Sequence, residues 1–196
     1  MTDSTTKPSR YAKLFIIATV TLDAMGIGLI MPVIPDLIRQ IQHVDLAQAA
    51  FWGGLLSFTY AFMQFVCGPL IGNLSDRFGR RPVLILSLVF MGLDYFLMAI
   101  APTLLLLFIA RTVSGVTGAT YATAAAYLTD ISKKGERSQN FGLLGAAFGI
   151  GFVLGPAIGG LLGELGTRMP FIAAGILALA NALFGYFVLP ETLEAN

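Results

Sequence analysis

Asp23, Asp94 and Arg111 each lie inside a long apolar run. An ionised group is costly there and is normally retained for ion or substrate handling, with its partner close by. At a rise of ~1.5 Å per residue, Asp23 and Asp94 lie about 12 residues, or ~18 Å, from the cytoplasmic starts of their runs. Arg111 lies about 8 residues, or ~12 Å, below the outer start of its own. In a ~30 Å hydrocarbon core the three depths coincide near the outer side of the midplane. Two acids and one arginine leave one negative charge if all are ionised. The expectation is that one carboxylate pairs with Arg111 while the other exchanges a proton or meets a cationic substrate. The alternative for Asp94 and Arg111 is a static ion pair joining two helices, which leaves Asp23 as the group open to exchange.

A second constellation is Gly72-Asn73-Leu74-Ser75-Asp76-Arg77-Phe78-Gly79-Arg80-Arg81, between two apolar runs. Arg77, Arg80 and Arg81 serve as a cytoplasmic topology anchor whatever else they do. That does not account for Asp76, nor for Gly72, which permits close helix approach. A carboxylate here favours helix N-termini and arginine partners, and Asp130 is a second partner within reach of Arg80. The segment reads as a loop carrying a latch that holds one conformation and breaks in another. The Asn73-Leu74-Ser75 sequon carries no meaning on a cytoplasmic loop.

A third is glycine-rich: Gly142, Gly145, Gly149, Gly151, Gly155, Gly159 and Gly160 surround Pro156. Gly151, Gly155 and Gly159 share one helix face and allow tight packing, and Pro156 predicts a kinked, rocking interface. Tyr60, Gln64 and Asn181 are polar points that either line a cavity or cross-link helices.

The elements that must position these residues are membrane helices. Hydrophobic residues make up 56% of the 196-residue chain and charged residues 12%, with a mean hydropathy of +0.80. These values exclude an ordinary soluble domain. Runs of about 20 apolar residues, enough to cross the bilayer, occur at 11–38, 48–72, 82–100, 103–128, 138–163 and 170–189. Strand-type alternation is absent, which argues against a barrel. No cleavable signal peptide is visible. Pro32 and Pro35 predict a kink or stop near the outer end of the first run, followed by a short external loop over 39–47. Pro102 marks a tight external turn, and 130–137 a solvated cytoplasmic one. Lys7, Arg10, Lys13, Arg77, Arg80, Arg81, Lys133, Lys134 and Arg137 fall on one side; Arg39 and Arg168 fall on the other. The split puts both termini in the cytoplasm. Lone Cys67 and lone His43 argue against a disulfide framework, a metal site or a histidine-based catalytic site. No Ser/His dyad lies within the spans, so an enzyme is not expected. The net charge of +1 says nothing about nucleic acid; the basic residues are short clusters flanking the spans, and no nucleic-acid partner is expected.

An internal repeat is visible. Gly68-Pro69-Leu70-Ile71-Gly72-Asn73-Leu74 matches Gly155-Pro156-Ala157-Ile158-Gly159-Gly160-Leu161 at five of seven positions, although the two runs point in opposite directions. An inverted repeat of three plus three helices leaves this trace. The expected organisation is an all-α membrane protein: a leader over 1–10, a six-helix bundle over 11–190, and the start of a central cytoplasmic linker over 191–196.

These motifs resemble the major facilitator superfamily. Gly72-x-x-x-Asp76-Arg77-x-Gly79-Arg80-Arg81 is similar to its 2–3 loop signature. Arg111-x-x-x-Gly115-x-x-Gly118 resembles its span 4 motif. Gly142 with Gly151-x-x-x-Gly155-Pro156-x-x-Gly159-Gly160 resembles the span 5 motif of antiporters. Leu22-Asp23-Ala24-Met25-Gly26-Ile27-Gly28-Leu29-Ile30-Met31-Pro32, Leu93-Asp94-Tyr95 and Ser114-Gly115-Val116-Thr117-Gly118-Ala119-Thr120 narrow the likeness to tetracycline exporters. The resemblance implies exchange of a metal–tetracycline chelate, with Mg²⁺ carried as part of the substrate, for H⁺ across a bacterial inner membrane. It implies Asp23, Asp94 and Arg111 as the coupling charges and Asp76 with Arg80 as the gate. It also implies twelve spans in two bundles. This chain is then one half, needing a C-terminal half or a second copy to transport. The alternatives are half of another drug or sugar exporter, or a six-span regulatory or structural subunit.

Overall fold

The computed structural model describes residues 10–118, 120–133 and 135–191; most of the expected leader and linker lie outside the described residues. Eight helices occur among them: α1 (Arg10–Ile30), α2 (Ile34–Gln42), α3 (Leu46–Phe78), α4 (Arg80–Ile100), α5 (Leu104–Thr117), α6 (Thr120–Ile131), α7 (Arg137–Leu165) and α8 (Met169–Val188). Six stretches are long and apolar enough to span a membrane, α5 and α6 forming one of them.

The six spans correspond to the six expected runs, with three local differences. The first run is not one helix to 38. It stops at Ile30, turns through Met31–Val33 and restarts as α2 with a proline in its first turn. Pro32 has no N–H to continue the ladder, and Pro35 suits a helix start. α2 buries Ile34, Leu37 and Ile38 along one face, the spacing of a surface helix. It ends at His43, in the left-handed region with φ 54°, so the loop expected over 39–47 narrows to 43–45.

The 2–3 connection is barely a loop. α3 runs 33 residues, ~50 Å of helix and well beyond the ~30 Å core. Asp76 and Arg77 therefore ride on a helical extension. Gly79 alone joins α3 to α4, with φ +105°, a backbone that strongly favours glycine. The fourth run breaks at Gly118, the C-cap of α5. Gln64 Nε2 on α3 donates to the Gly118 carbonyl at 2.6 Å, satisfying an acceptor that the break would otherwise leave open.

Helix pairing follows the inverted repeat. α1 packs on α7, and α5 on α3, the same contact once the two triplets are exchanged. α4 packs on α8, the third helix of each triplet. The repeat is one of topology rather than of packing. Cβ atoms added at Gly68 and Gly72 meet nothing within 4 Å, whereas at Gly155 one would stand 2.6 Å from the Met25 carbonyl oxygen.

α8 holds α4 at both ends. Arg168, the N-cap of α8, donates through Nη2 to the Ala101 carbonyl at 3.0 Å and through Nη1 to that of Ala99. Past the other end of α8, Glu191 accepts from the backbone N–H groups of Arg80 at 3.1 Å and Arg81 at 3.3 Å. A cation thus sits on the C-terminal carbonyls of α4 and an anion on its N-terminal N–H groups, each complementing the helix dipole. This clamp fixes the helix that carries Asp94.

Candidate substrate and proton site

α1, α4 and α5 each bring one charge into the interior: Asp23 is 7% exposed, Asp94 3% and Arg111 7%. The three are gathered around two tyrosines. Tyr60 on α3 and Tyr95 on α4 both lie within electrostatic reach of Asp23, Asp94 and Arg111. The Arg111 guanidinium stands over the Tyr60 ring, 5.7 Å from its centroid, a cation–π contact that partly replaces lost hydration. Tyr95 reaches α1, its hydroxyl 2.7 Å from where a Cβ on Gly26 would stand, so that position must be glycine for the ring to fit.

The charges are together but not joined as a static pair. Asp94 and Arg111 feel one another electrostatically, yet the ion pairs among the described residues involve Arg39 and Arg80 instead. Asp94 Oδ2 accepts from the Ser114 hydroxyl, one turn beyond Arg111 on α5. Asp94 Oδ1 and Arg111 Nε are both buried without a hydrogen-bond partner. Two unsatisfied atoms of opposite charge in one cluster form a polarised unit, able to respond when a neighbouring charge changes. Ser114 is therefore part of the site. The sequence held it in plain view within the span 4 segment, but a serine in a membrane helix ordinarily bonds its own backbone.

Asp23 has different surroundings. With Ile27, Gln64, Gly68, Gly118, Tyr121, Ala122, Gly145 and Phe148 it lines a cavity of about 480 Å³ between α1, α3, α6 and α7, and among the described residues it is the one charged side chain on that lining. The volume falls in the range of small-molecule sites, and one convergent charge on a mostly apolar wall is their usual chemistry. Gln64 serves both the cavity and the helix joint: besides Gly118 it donates to the Tyr60 hydroxyl at 3.2 Å. Asn181 is a cross-link, donating to Thr19 Oγ1 at 3.0 Å in the buried α1–α8 seam.

The glycine-rich helix α7 packs directly on α1. A Cβ at Gly151 would collide with the Thr21 carbonyl, at Gly155 with Met25, and at Gly159 with Leu29. These carbonyls are spaced at four, matching the glycines turn for turn. Pro156 Cδ faces Gly28, 2.8 Å from where a Cβ would sit there. α7 continues through Pro156 as a single helix. Gly142 and Gly160 take no part, since side chains added at either meet nothing within 4 Å.

Where α3 meets α4, Arg80 is the hub. Its guanidinium pairs with Asp76, with Asp130 at 3.1 Å, and donates to Ser75 Oγ at 2.7 Å. Ser75 Oγ in turn donates to the Gly72 carbonyl at 2.8 Å. The expectation that Gly72 allows close helix approach does not hold within this bundle: the space beside it is open, and its contribution is that carbonyl. Arg77 lies over Phe78 instead of in the cluster. Arg81 donates to the Tyr186 carbonyl at 2.7 Å, tying α4 to α8. Tyr127 donates to the Pro190 carbonyl at 2.8 Å, binding the Pro190–Glu191 segment to α6. Glu191, expected only as linker, is thus part of this network. Among the described residues no group of three His, Cys, Asp or Glu side chains is arranged for a metal.

Two inverted helix triplets, with a buried charge cluster beside a cavity, form the architecture from which secondary transporters are built. Residues 16–196 match the family profile of the Major Facilitator Superfamily, and the chain belongs to that family. It is 50% identical over 184 residues to the class C tetracycline resistance protein of Escherichia coli, covering 94% of this chain and 46% of that protein. It is 47% identical over 187 residues to the class G protein of Vibrio anguillarum, covering 95% and 47%. Multidrug resistance protein 2 of Bacillus subtilis is 33% identical over 182 residues, 92% and 44% of the two chains. Among solved structures, the human organic anion transporter MFSD10 superposes with a TM-score of 0.81 at 26% identity, over 95% of this chain and 49% of that one. The chain therefore spans about half the length of the curated relatives it matches.

Proposed function

We propose that this bundle is the N-terminal wall of a proton-coupled tetracycline exporter, working with a second six-helix bundle that supplies the opposing wall. Cargo leaves as the Mg²⁺ chelate, and H⁺ enters in exchange across a bacterial inner membrane, with both ends of the bundle cytoplasmic. The single observation that carries this reading is Asp23, a carboxylate alone on the wall of a drug-sized cavity. Half-length identity to tetracycline resistance proteins supports the choice of cargo.

The chemistry rests on competition. The Asp23 carboxylate accepts either a proton or the positive edge of a chelate, not both. Its charge acts on Tyr60 and Tyr95, the tyrosines that Asp94 and Arg111 also influence. Tyr60 is bonded to Gln64 and lies under Arg111, so a change at Asp23 bears on the α3–α5 joint at Gly118. The packing of α7 on α1 by way of backbone carbonyls suits a surface that rocks as a rigid pair. The Arg80 cluster holds the cytoplasmic ends of α3, α4 and α6 together in the present arrangement. A gate role for Asp76, Arg80, Asp130 and Glu191 follows if that cluster opens in the alternate state.

The test is co-expression with the C-terminal half of the class C relative, or of the chain alone to allow a pair of copies, followed by uptake of Mg–tetracycline into everted vesicles. Accumulation on energisation is expected when the opposing bundle is present. A well-assembled pair that accumulates no tetracycline refutes the reading and favours a six-span subunit without exchange activity.

A further inference from the structure

We infer that the groove between α4 and α8 at their Arg81–Glu191 end binds one anionic phospholipid, its phosphate on Arg81 and one acyl chain along α4. The inference needs the chain to sit in a bilayer but not to transport, so a failed efflux assay leaves it standing.

The groove encloses about 460 Å³ and is lined by Arg81, Pro82, Ile85, Leu86, Val89, Tyr186 and Glu191. It lies on the α4–α8 face, away from the cavity that holds Asp23. Its polarity is graded. The charged end is at the start of α4, where the chain leaves the apolar region. Pro82, Ile85, Leu86 and Val89 then descend one face at helical spacing, covering ~10 Å of depth. Further along α4, Phe90 and Leu93 are exposed, and beside the groove so are Leu183 and Phe187 of α8. A molecule filling this groove has an acceptor-rich head and a hydrocarbon tail.

The electrostatics select the head. Glu191 turns its oxygens to the N–H groups of Arg80 and Arg81, so its charge is directed at the start of α4. Arg81 spends Nη2 on the Tyr186 carbonyl and stacks over the Tyr186 ring at 5.5 Å, which fixes the guanidinium plane at the groove. Its Nε is buried, but Nη1 makes no hydrogen bond among the described residues and is not buried. An arginine held flat by an aromatic ring, with donors in reserve, is a fitting receptor for a phosphate oxygen. A lipid whose head carries its own ammonium would bring a second cation beside the Arg81 guanidinium, and is disfavoured. A phosphatidylglycerol head adds none.

The full 196-residue chain contains a single tryptophan, Trp52, on a different helix, so a reporter is simple to build. Phe90→Trp in a Trp52→Phe background places the fluorophore beside the groove. The chain is reconstituted in mixed bilayers in which either phosphatidylglycerol or phosphatidylcholine carries brominated chains, and quenching gives their relative binding constants. A preference of at least threefold for phosphatidylglycerol at low salt is expected, falling to about one in Arg81→Gln. Leu86→Trp fills the groove while leaving Arg81 intact; in the same reporter background, scored by native mass spectrometry for retained lipid, it loses the single tightly held phosphatidylglycerol. Equal quenching by both lipids in the parent protein overturns the inference, as does a preference unchanged by Arg81→Gln. If Arg81→Gln does not fold, retention of the lipid by the filled-groove variant overturns it alone.

Discussion

Gly155→Ala tests the α1–α7 seam more sharply than any other single change. The added Cβ would stand 2.6 Å from the Met25 carbonyl oxygen and 2.7 Å from Gly28 Cα. Both are backbone atoms of α1, so no side chain can swing aside and the helices must separate by several tenths of an ångström. Overpacking of a well-fitted seam costs about 1–3 kcal/mol. Against this, alanine is the better helix former by about 1 kcal/mol. Gly142→Ala isolates that second effect, since its Cβ meets nothing within 4 Å. Gly142→Ala is therefore expected to be neutral or stabilised by up to about 1 kcal/mol, and Gly155→Ala to lie about 1–3 kcal/mol below it. The assay is reversible unfolding of the purified chain in mixed micelles, followed by far-UV circular dichroism. Equal midpoints for the two variants refute the packing argument.

Three further outcomes follow from the same geometry. Gly79→Ala forces a side chain onto φ +105° and against Glu191, and is expected to cost about 1–3 kcal/mol of stability, read by the same unfolding titration. The Asn181→Ala, Thr19→Ala double-mutant cycle should return a coupling of about 0.6 kcal/mol, the typical worth of a hydrogen bond between membrane helices; a coupling of zero would remove the cross-link. Ser114→Ala strips Asp94 of its hydrogen bond and is expected to destabilise the bundle by about 1.5–3 kcal/mol, whereas Thr117→Ala, whose hydroxyl bonds backbone carbonyls of its own helix, should cost less than about 1 kcal/mol.

Span number, the inverted triplets and the burial of Asp23, Asp94 and Arg111 are legible in the sequence, because a charge among twenty apolar residues must turn away from lipid toward the bundle interior. Contacts that depend on helix rotation are not. Ser114 rather than Arg111 meets Asp94 because azimuth decides which residue of α5 faces α4, and hydropathy carries no azimuth. The 2–3 segment reads as a loop from its charges, yet charged residues also suit a helix that projects past the membrane. Glu191 reads as the start of a linker because its partners, the first N–H groups of α4, lie more than a hundred positions earlier. Gly68 and Gly72 match Gly155 and Gly159 letter for letter but face open space. Repeated glycine spacing identifies a face without saying what covers it.

At the centre of the proposed exchange is Asp23, the point where a proton and a cationic chelate compete. Proton release from everted vesicles on addition of Mg–tetracycline, measured for the two-bundle assembly carrying Asp23→Asn, reads that competition. No tetracycline-stimulated release is predicted, with assembly and the unfolding midpoint retained. Release at the level of the unsubstituted protein would contradict it.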